Sequence, residues 1–237
     1  MTIEMNDAVM QLKDIDGMQG SISQRTYLSL RESIMTFQLM PGEYLSKSKI
    51  CAHFGISRAP VSEALTRLSL EGLVDIIPQS GTRVSLLSMK EIEEGAFLRE
   101  AIEMAAVAKV AQNRTPDQLI RLGRNLRIQR FLLEDLDYEG FYQADEEMHD
   151  MIMTFTNYSR IITVASAAWT QVDRARRLVL PTSGRAQETF IEHELIVKAI
   201  EAQDPLEAQV AMHKHLSKLV GLLQPLEQER SEFFKLQ

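Results

Sequence analysis

Four side chains in the second half of this 237-residue chain have the types and spacing to hold a metal ion: Asp145, His149, His193 and His215. One carboxylate with three imidazoles suits Zn²⁺, and also Ni²⁺ or Mn²⁺ where water or a substrate completes the shell. Asp145 and His149 stand four residues apart, so a helix would present them on one face. His193 and His215 fall in two later segments joined at Asp204-Pro205. Spacing alone leaves other readings open, because Asp/His pairs at i,i+4 arise by chance and single histidines are ordinarily satisfied core or surface groups. His213 is two residues from His215, which turns it to a different helical face and reads as exposed.

The elements that must carry these residues are helices. From residue 88 onward apolar periodicity and caps predict helices near 89–112, 116–135, 138–155, 159–179, 185–202 and 205–223. Breaks fall at Asn113, Asp137, Asn157, Pro181–Gly184 and Asp204-Pro205, and Thr115 with Gln118 forms a capping-box pattern. The first third reads differently. Tyr27, Leu30, Ile34 and Phe37 share one face of a helix over 23–37, which Pro41-Gly42 ends. Ser46 caps a short helix to about Phe54, and after Gly55 the spacing predicts that Ser57 caps a helix from about Arg58 to Glu71. Two β-prone stretches, Leu73–Ile77 and Thr82–Leu86, flank the turn Pro78-Gln79-Ser80-Gly81 and predict a hairpin. Helix, helix, tight turn, helix, hairpin is the order of a winged helix-turn-helix.

The expected fold is therefore mainly α: an N-terminal winged helix-turn-helix (three helices plus a β-hairpin) followed by an all-α helical bundle. Residues 1–20 read as a flexible arm, 21–87 as a winged helix-turn-helix DNA-binding domain and 88–237 as an all-helical domain that carries the four metal-ligand candidates. The net charge of −7 is unevenly spread: residues 21–90 carry eight basic against five acidic side chains, which leaves −10 for the remainder. A mildly basic module on an acidic body suits one DNA-facing part. The single cysteine, Cys51, excludes an intrachain disulfide and reads as a small core residue. No stretch of about 18 apolar residues exists to span a membrane, and a cytoplasmic location is expected.

The stretch Leu30-Arg31-Glu32-Ser33-Ile34, Pro41 to Ser46, Phe54 to Leu65, Leu68 and Glu71 to Val74 resembles the GntR family of regulators over about sixty residues. In a helix-turn-helix the second helix enters the major groove and its N-terminal residues meet base edges. Here those are Ser57, Arg58, Ala59 and Ser62. Alone, Arg58 would read as a solvated arginine; inside this motif it is placed to bond guanine O6 and N7. Lys47, Ser48 and Lys49 open the preceding helix toward the phosphate backbone, with Thr82 and Arg83 on the wing. Relatives commonly carry a second arginine where this chain has Ser62.

Asp145 to His149, Asn157, Glu192-His193 and the run from Ile196 to Leu216 resemble the all-helical C-terminal (FCD) domain of the FadR-type subgroup. The resemblance implies that Asp145, His149, His193 and His215 bind a divalent metal, Zn²⁺ first. It further implies that Arg99 holds the acid group of an effector; Asn157, Arg174 and Arg177 are further candidates, with an exposed helix bearing Arg174, Arg176 and Arg177 as the plainer alternative. Glu192 and Glu146 could orient an imidazole, though solvated surface glutamates are the plainer reading. The function expected is a transcriptional repressor or activator, a homodimer on a double-stranded operator, tuned by a small carboxylate such as a sugar acid. The competing readings are a metal-dependent hydrolase-like enzyme and a regulator whose metal is purely structural.

Overall fold

The structure is a computed structural model that describes residues 12–182 and 184–236, with backbone alone across 162–168. It forms two compact units. One comprises the chain up to Met89 together with the end from Leu226, and the other comprises Lys90–Pro225. The fold is mainly helical, as expected.

In the first unit, α1 (Ile22–Met35), α2 (Lys47–Phe54) and α3 (Arg58–Leu70) pack with strands β1 (Tyr44–Leu45), β2 (Val74–Ile77) and β3 (Gly81–Val84). Ser21 caps α1 by accepting from the Gln24 amide, and Ser46 caps α2 by accepting from that of Lys49. Gly55 ends α2 at φ 63°, a left-handed conformation that costs glycine nothing and sets the tight turn into α3. Leu30, Ile34, Ile50, Val61, Leu65, Leu68 and Val84 fill the core between helices and sheet. The expected hairpin is β2–β3, but the sheet is three-stranded and antiparallel in the order β1-β3-β2, with Tyr44 opposite Arg83 and Val74 opposite Val84. A two-residue strand is too short to show alternation in sequence. It is made by β3, whose Val84 amide donates to the Glu43 carbonyl at 2.8 Å.

Two boundaries differ from the sequence reading. The arm expected over 1–20 lies outside the described residues as far as residue 11, and from Leu12 onward it is packed. Leu12 and Ile15 are buried, Ser29 Oγ donates to the Lys13 carbonyl at 2.7 Å, and Arg25 donates to the Ile15 carbonyl at 2.9 Å. The last twelve residues, assigned by pattern to the second domain, belong to the first unit. Leu87 donates to the Phe233 carbonyl and accepts from the Lys235 amide, both at 2.8 Å, and Phe234 is 4 % exposed. Leu87 is itself fully buried, so without this strand-like partner its backbone groups would be costly orphans. Phe234→Ala is expected to destabilise this unit by about 3–5 kcal/mol in chemical denaturation; a loss below about 1 kcal/mol would show the tail to be dispensable.

The second unit holds α4 (Met89–Asn113), α5 (Pro116–Glu134), α6 (Tyr138–Phe155), α7 (Ser159–Val179), α8 (Arg185–Glu201) and α9 (Pro205–Leu216), with α10 (Lys218–Glu229) leading out of it. The Thr115–Gln118 capping box starts α5, and Asp204 caps α9 ahead of Pro205. The single helix expected over 205–223 is broken. Ser217 closes α9 by donating its amide to the His213 carbonyl, and α10 then continues through Pro225. Val107, Val110, Met148, Ile152, Ile196, Ile200 and Met212 anchor the core that surrounds the four metal-ligand candidates. Among the described residues no helix is long and apolar enough to cross a membrane.

Candidate metal centre and nucleic-acid interface

The buried stripe of α6 contains Phe141, Asp145, Met148, His149 and Ile152, so its two polar members face the core. His193 shares the inner face of α8 with Phe190, Ile196, Val197 and Ile200, and His215 that of α9 with Ala208, Ala211 and Met212. Polar groups placed on an apolar stripe are costly unless they find partners. Here they find each other: one donor atom from each of Asp145, His149, His193 and His215 lies within 4.8 Å of the rest, and all four residues are buried. His193 Nε2 is 3.1 Å and His149 Nε2 is 3.7 Å from Asp145 Oδ1, and the Nε2 atoms of His149 and His215 are 3.2 Å apart. An ion bonded at about 2.0–2.2 Å needs donor pairs roughly 3–4 Å apart, which these three spacings satisfy.

The second nitrogen of each ring settles what the first one offers. His149 Nδ1 bonds Glu103, and His215 Nδ1 bonds Glu192 at 2.7 Å; a carboxylate only accepts, so both Nδ1 atoms carry the proton. His193 Nδ1 meets Gln129 Oε1 at 2.7 Å. Gln129 Nε2 donates to Asn125 Oδ1 at 2.7 Å, and Asn125 Nδ2 donates to the Ala144 carbonyl at 2.9 Å. Because a carbonyl only accepts, this chain of amides has one direction, and His193 Nδ1 must be its donor. Burial holds the His193 and His215 imidazoles well below their usual range, hence neutral. The Nε2 lone pairs of His193 and His215 and a carboxylate oxygen therefore converge beside His149 Nε2, and His193 Nε2 is buried with no hydrogen-bond partner. Such an array repels itself unless a cation fills it. The donor set fits a divalent metal.

The supporting carboxylates are strongly held. Burial pushes Glu103 up, but Arg99 at 2.5 Å and His149 prevail and keep it well below the carboxylate range. Glu192 behaves alike. Burial raises it, and hydrogen bonds from His215, from Arg185 at 2.9 and 3.0 Å and from Lys218 at 2.6 Å hold it ionised. The reading of Glu192 as a solvated surface residue is thus corrected, since three cationic or imidazole donors converge on it in the interior. Glu146 instead lies beside Arg177, 3.6 Å away, and does not reach an imidazole. His213 pairs with Glu100 on the surface, 2.8 Å apart. Gln129→Leu removes the acceptor that aims His193, and is expected to weaken zinc affinity about 10–100-fold in a chelator competition; an unchanged affinity would show that Gln129 does not orient the ring.

A cavity of about 50 Å³ adjoins the cluster, reached by Asp145 and His215 and walled by Arg99, Tyr142, Arg176 and Arg185. Arg99 is buried where the resemblance placed it. The other two effector candidates lie elsewhere. Arg174, two residues from Arg176 on α7, is fully buried and reaches Gln171 at 3.3 Å, while Arg176 faces the cavity. Asn157 is exposed just beyond the end of α6 at φ 61°, a helix-terminating position that asparagine tolerates. Arg176 bonds Asp145 Oδ2, leaving Oδ1 toward the imidazoles. Burial and the neighbouring Arg99 charge lower its guanidinium to about 10. Sequence reasoning missed Glu103, Gln129, Arg176 and Arg185. The signal for Glu103 was present, four residues after Arg99 on the stripe that continues through Ala106, Val107 and Val110.

At the other end of the chain, Ser57, Arg58 and Ala59 are exposed at the start of α3, and Ser62 is half-buried one turn on. The Ser57 hydroxyl makes no cap hydrogen bond, which leaves the first amides of α3 free for an anion. Lys47 and Lys49 are half-buried and Ser48 exposed in the first turn of α2. On the wing the alternation of β3 decides: Arg83 turns outward and bonds Asp75 at 3.2 Å, whereas Thr82 is 3 % exposed and points into the unit. Thr82 is therefore not available to a duplex.

Residues 22–84 match the family described as bacterial regulatory proteins, gntR family, and residues 94–218 match the FCD domain. An uncharacterized HTH-type transcriptional regulator in an unstable DNA locus of Streptomyces ambofaciens is 32% identical over 215 residues, covering 88% of this chain and 87% of that one. The HTH-type transcriptional repressor RspR of Escherichia coli (strain K12) is 29% identical over 213 residues, covering 90% and 93%. The solved structure of E. coli McbR/YncC superposes with a TM-score of 0.74 at 20% identity, over 88% of this chain and 99% of that one, a likeness of fold. The curated relatives are transcriptional regulators, not enzymes.

Proposed function

Because this chain belongs to the GntR family of DNA-binding transcriptional regulators and carries an FCD domain, we propose that it is a repressor whose hold on its operator is set by a small carboxylate bound beside a divalent metal ion. The observation that carries the reading is the convergence of three imidazole rings and the Asp145 carboxylate at the edge of a cavity that also receives Arg99 and Arg176. A divalent metal held by these four residues would supply Lewis acidity to a ligand oxygen, and the two guanidinium groups would supply countercharge. Glu103 and Arg99, bonded to each other, join the two halves of this grip, since Glu103 also orients His149. The cavity beside Asp145 and His215 favours a sensing site over a closed structural one.

DNA recognition in this reading falls to Arg58 with Ser57, Ala59 and Ser62 at base edges, and to Lys47, Ser48, Lys49 and Arg83 along the phosphates. A two-fold operator requires a homodimer. The exposed face of α4 suits a second copy: Phe97 is 74 % exposed and Leu98 44 %, with Ala101 and Ala105 beyond. Glu93 and Glu94 flank one end of this face and Lys109 and Arg160 the other. An antiparallel pairing would set acid against base at both ends. Ligand binding changes operator affinity only if the two dimer states bind the ligand unequally. The helix bearing Arg99 and Glu103 starts at Met89, where the first unit ends, and is the covalent route for that difference.

Isothermal titration of small acids into zinc-loaded protein, as expected in its cytoplasmic setting near neutral pH, tests the reading. Saturable heat at one acid per chain is expected for at least one of them. Silence from every acid would overturn it.

A further inference from the structure

The same cavity has a second face, and that face is aliphatic. From α7 come Val172 and Val179, with Leu180 just after it; from the end of α9 and from α10 come Leu216, Leu219 and Leu222. Among the described residues the charged side chains at the wall are Arg99, Arg176, Arg185 and Asp145: Arg176 stands between Val172 and Val179 on α7 and bonds Asp145, and Arg185 bonds Glu192, the carboxylate that holds His215 Nδ1. Among the described residues Thr189 and Tyr142 are the hydroxyl-bearing side chains at the wall, and the Tyr142 hydroxyl already donates to the Asp173 carbonyl at 3.2 Å. A polyhydroxylated ligand would thus bury hydroxyl groups against six side chains that cannot bond them, which costs free energy for each unpaired group. An alkyl group would gain there.

Resting on the carboxylate reading above, we propose that the ligand is a short monocarboxylate with an aliphatic body, rather than the sugar acid that family resemblance suggested. Its carboxylate lies toward the metal side and the arginines, and its branched or linear alkyl end lies against α7 and α10. The cavity of about 50 Å³ has room for roughly four water molecules, which limits the acid to a few carbons beyond the carboxylate. Each buried methylene contributes about 0.8 kcal/mol, or about fourfold in affinity. Two of the residues at the aliphatic face, Leu219 and Leu222, stand on α10, the helix that leads out of the second unit. An alkyl ligand would therefore press on the chain segment that returns to the DNA-binding unit, whereas a ligand held only by metal and arginines would not.

The test is calorimetric titration of the zinc-loaded full chain with acetate, isobutyrate and 2-methylbutyrate against glycerate and malonate. Isobutyrate is expected to bind about fifteenfold tighter than acetate, from two further buried carbons, and 2-methylbutyrate tighter than the similarly sized glycerate and malonate. Leu222→Ser, or Val179→Thr should the first variant fold poorly, is expected to lower isobutyrate affinity at least about fourfold while zinc stays at one per chain. Tighter binding of glycerate or malonate than of 2-methylbutyrate would overturn the aliphatic assignment and leave the carboxylate reading standing. Failure of all five acids to bind would overturn both.

Discussion

Replacing His193 with alanine is expected to abolish the response of this protein to zinc. In the unaltered chain, zinc at about 100 times its dissociation constant should raise stability by about 2.7 kcal/mol, because the folded state alone assembles the site. For a unit of this size that is a rise in midpoint of roughly 5–10 °C. The alanine variant removes one of four converging donors and the only one held by the Gln129–Asn125 amide chain. Its loss exceeds the roughly 10–100-fold expected for an outer partner such as Gln129. In metal-free protein the same change has two opposed effects. It relieves the confrontation of His193 Nε2 with Asp145 Oδ1, and it leaves Gln129 Oε1 unpaired at a cost of about 1–3 kcal/mol. A zinc-dependent shift of undiminished size in the variant would remove His193 from the site.

Arg58→Ala is expected to lower operator affinity by about 1–3 kcal/mol, roughly five- to 150-fold, while binding to unrelated duplex falls much less. The reason is positional. Gly55 turns the chain so that α3 begins with Ser57, Arg58 and Ala59 in solvent, and the buried face of α3, from Val61 through Ala64, Leu65 and Leu68, fixes the helix from behind. A guanidinium that only touched phosphate would weaken all duplexes alike and would flatten the salt dependence by about one unit of slope. Anisotropy titrations of operator and scrambled duplex at three salt concentrations separate the outcomes. Equal losses on both duplexes would make Arg58 a backbone contact.

Much of this molecule was legible in its sequence because the informative residues obey short-range rules. Ser46 and Gly55 mark a cap and a tight turn, and Thr115-Pro116 and Asp204-Pro205 mark helix starts, each within a few residues of the groups they satisfy; Ser57 marks the start of α3 without capping it through its side chain. Asp145 and His149 reveal themselves by sitting on the apolar stripe of one helix. What escaped is long-range. Glu103 and His149 are 46 residues apart, Gln129 and His193 64, and nothing local tells either pair to meet. The same holds for Phe234 and Leu87, whose pairing moves the end of the chain to the first unit. Arg174 and Arg176 differ by two positions on one helix, and only the packing of α7 decides which of them faces the cavity. Thr82 was misplaced for the opposite reason: strand alternation was available, but without β1 there was no inner face to assign it to.

The central claim is that an acid held at the histidine cluster in one unit alters DNA binding by the other. It is tested most directly by titrating zinc-loaded protein onto an operator, selected by the protein from a random-sequence library, with and without the tightest-binding acid at fixed salt. The operator dissociation constant is expected to change at least about fivefold on acid addition, and the change to vanish in the His193→Ala variant. An operator affinity that stays the same with and without saturating acid would contradict it.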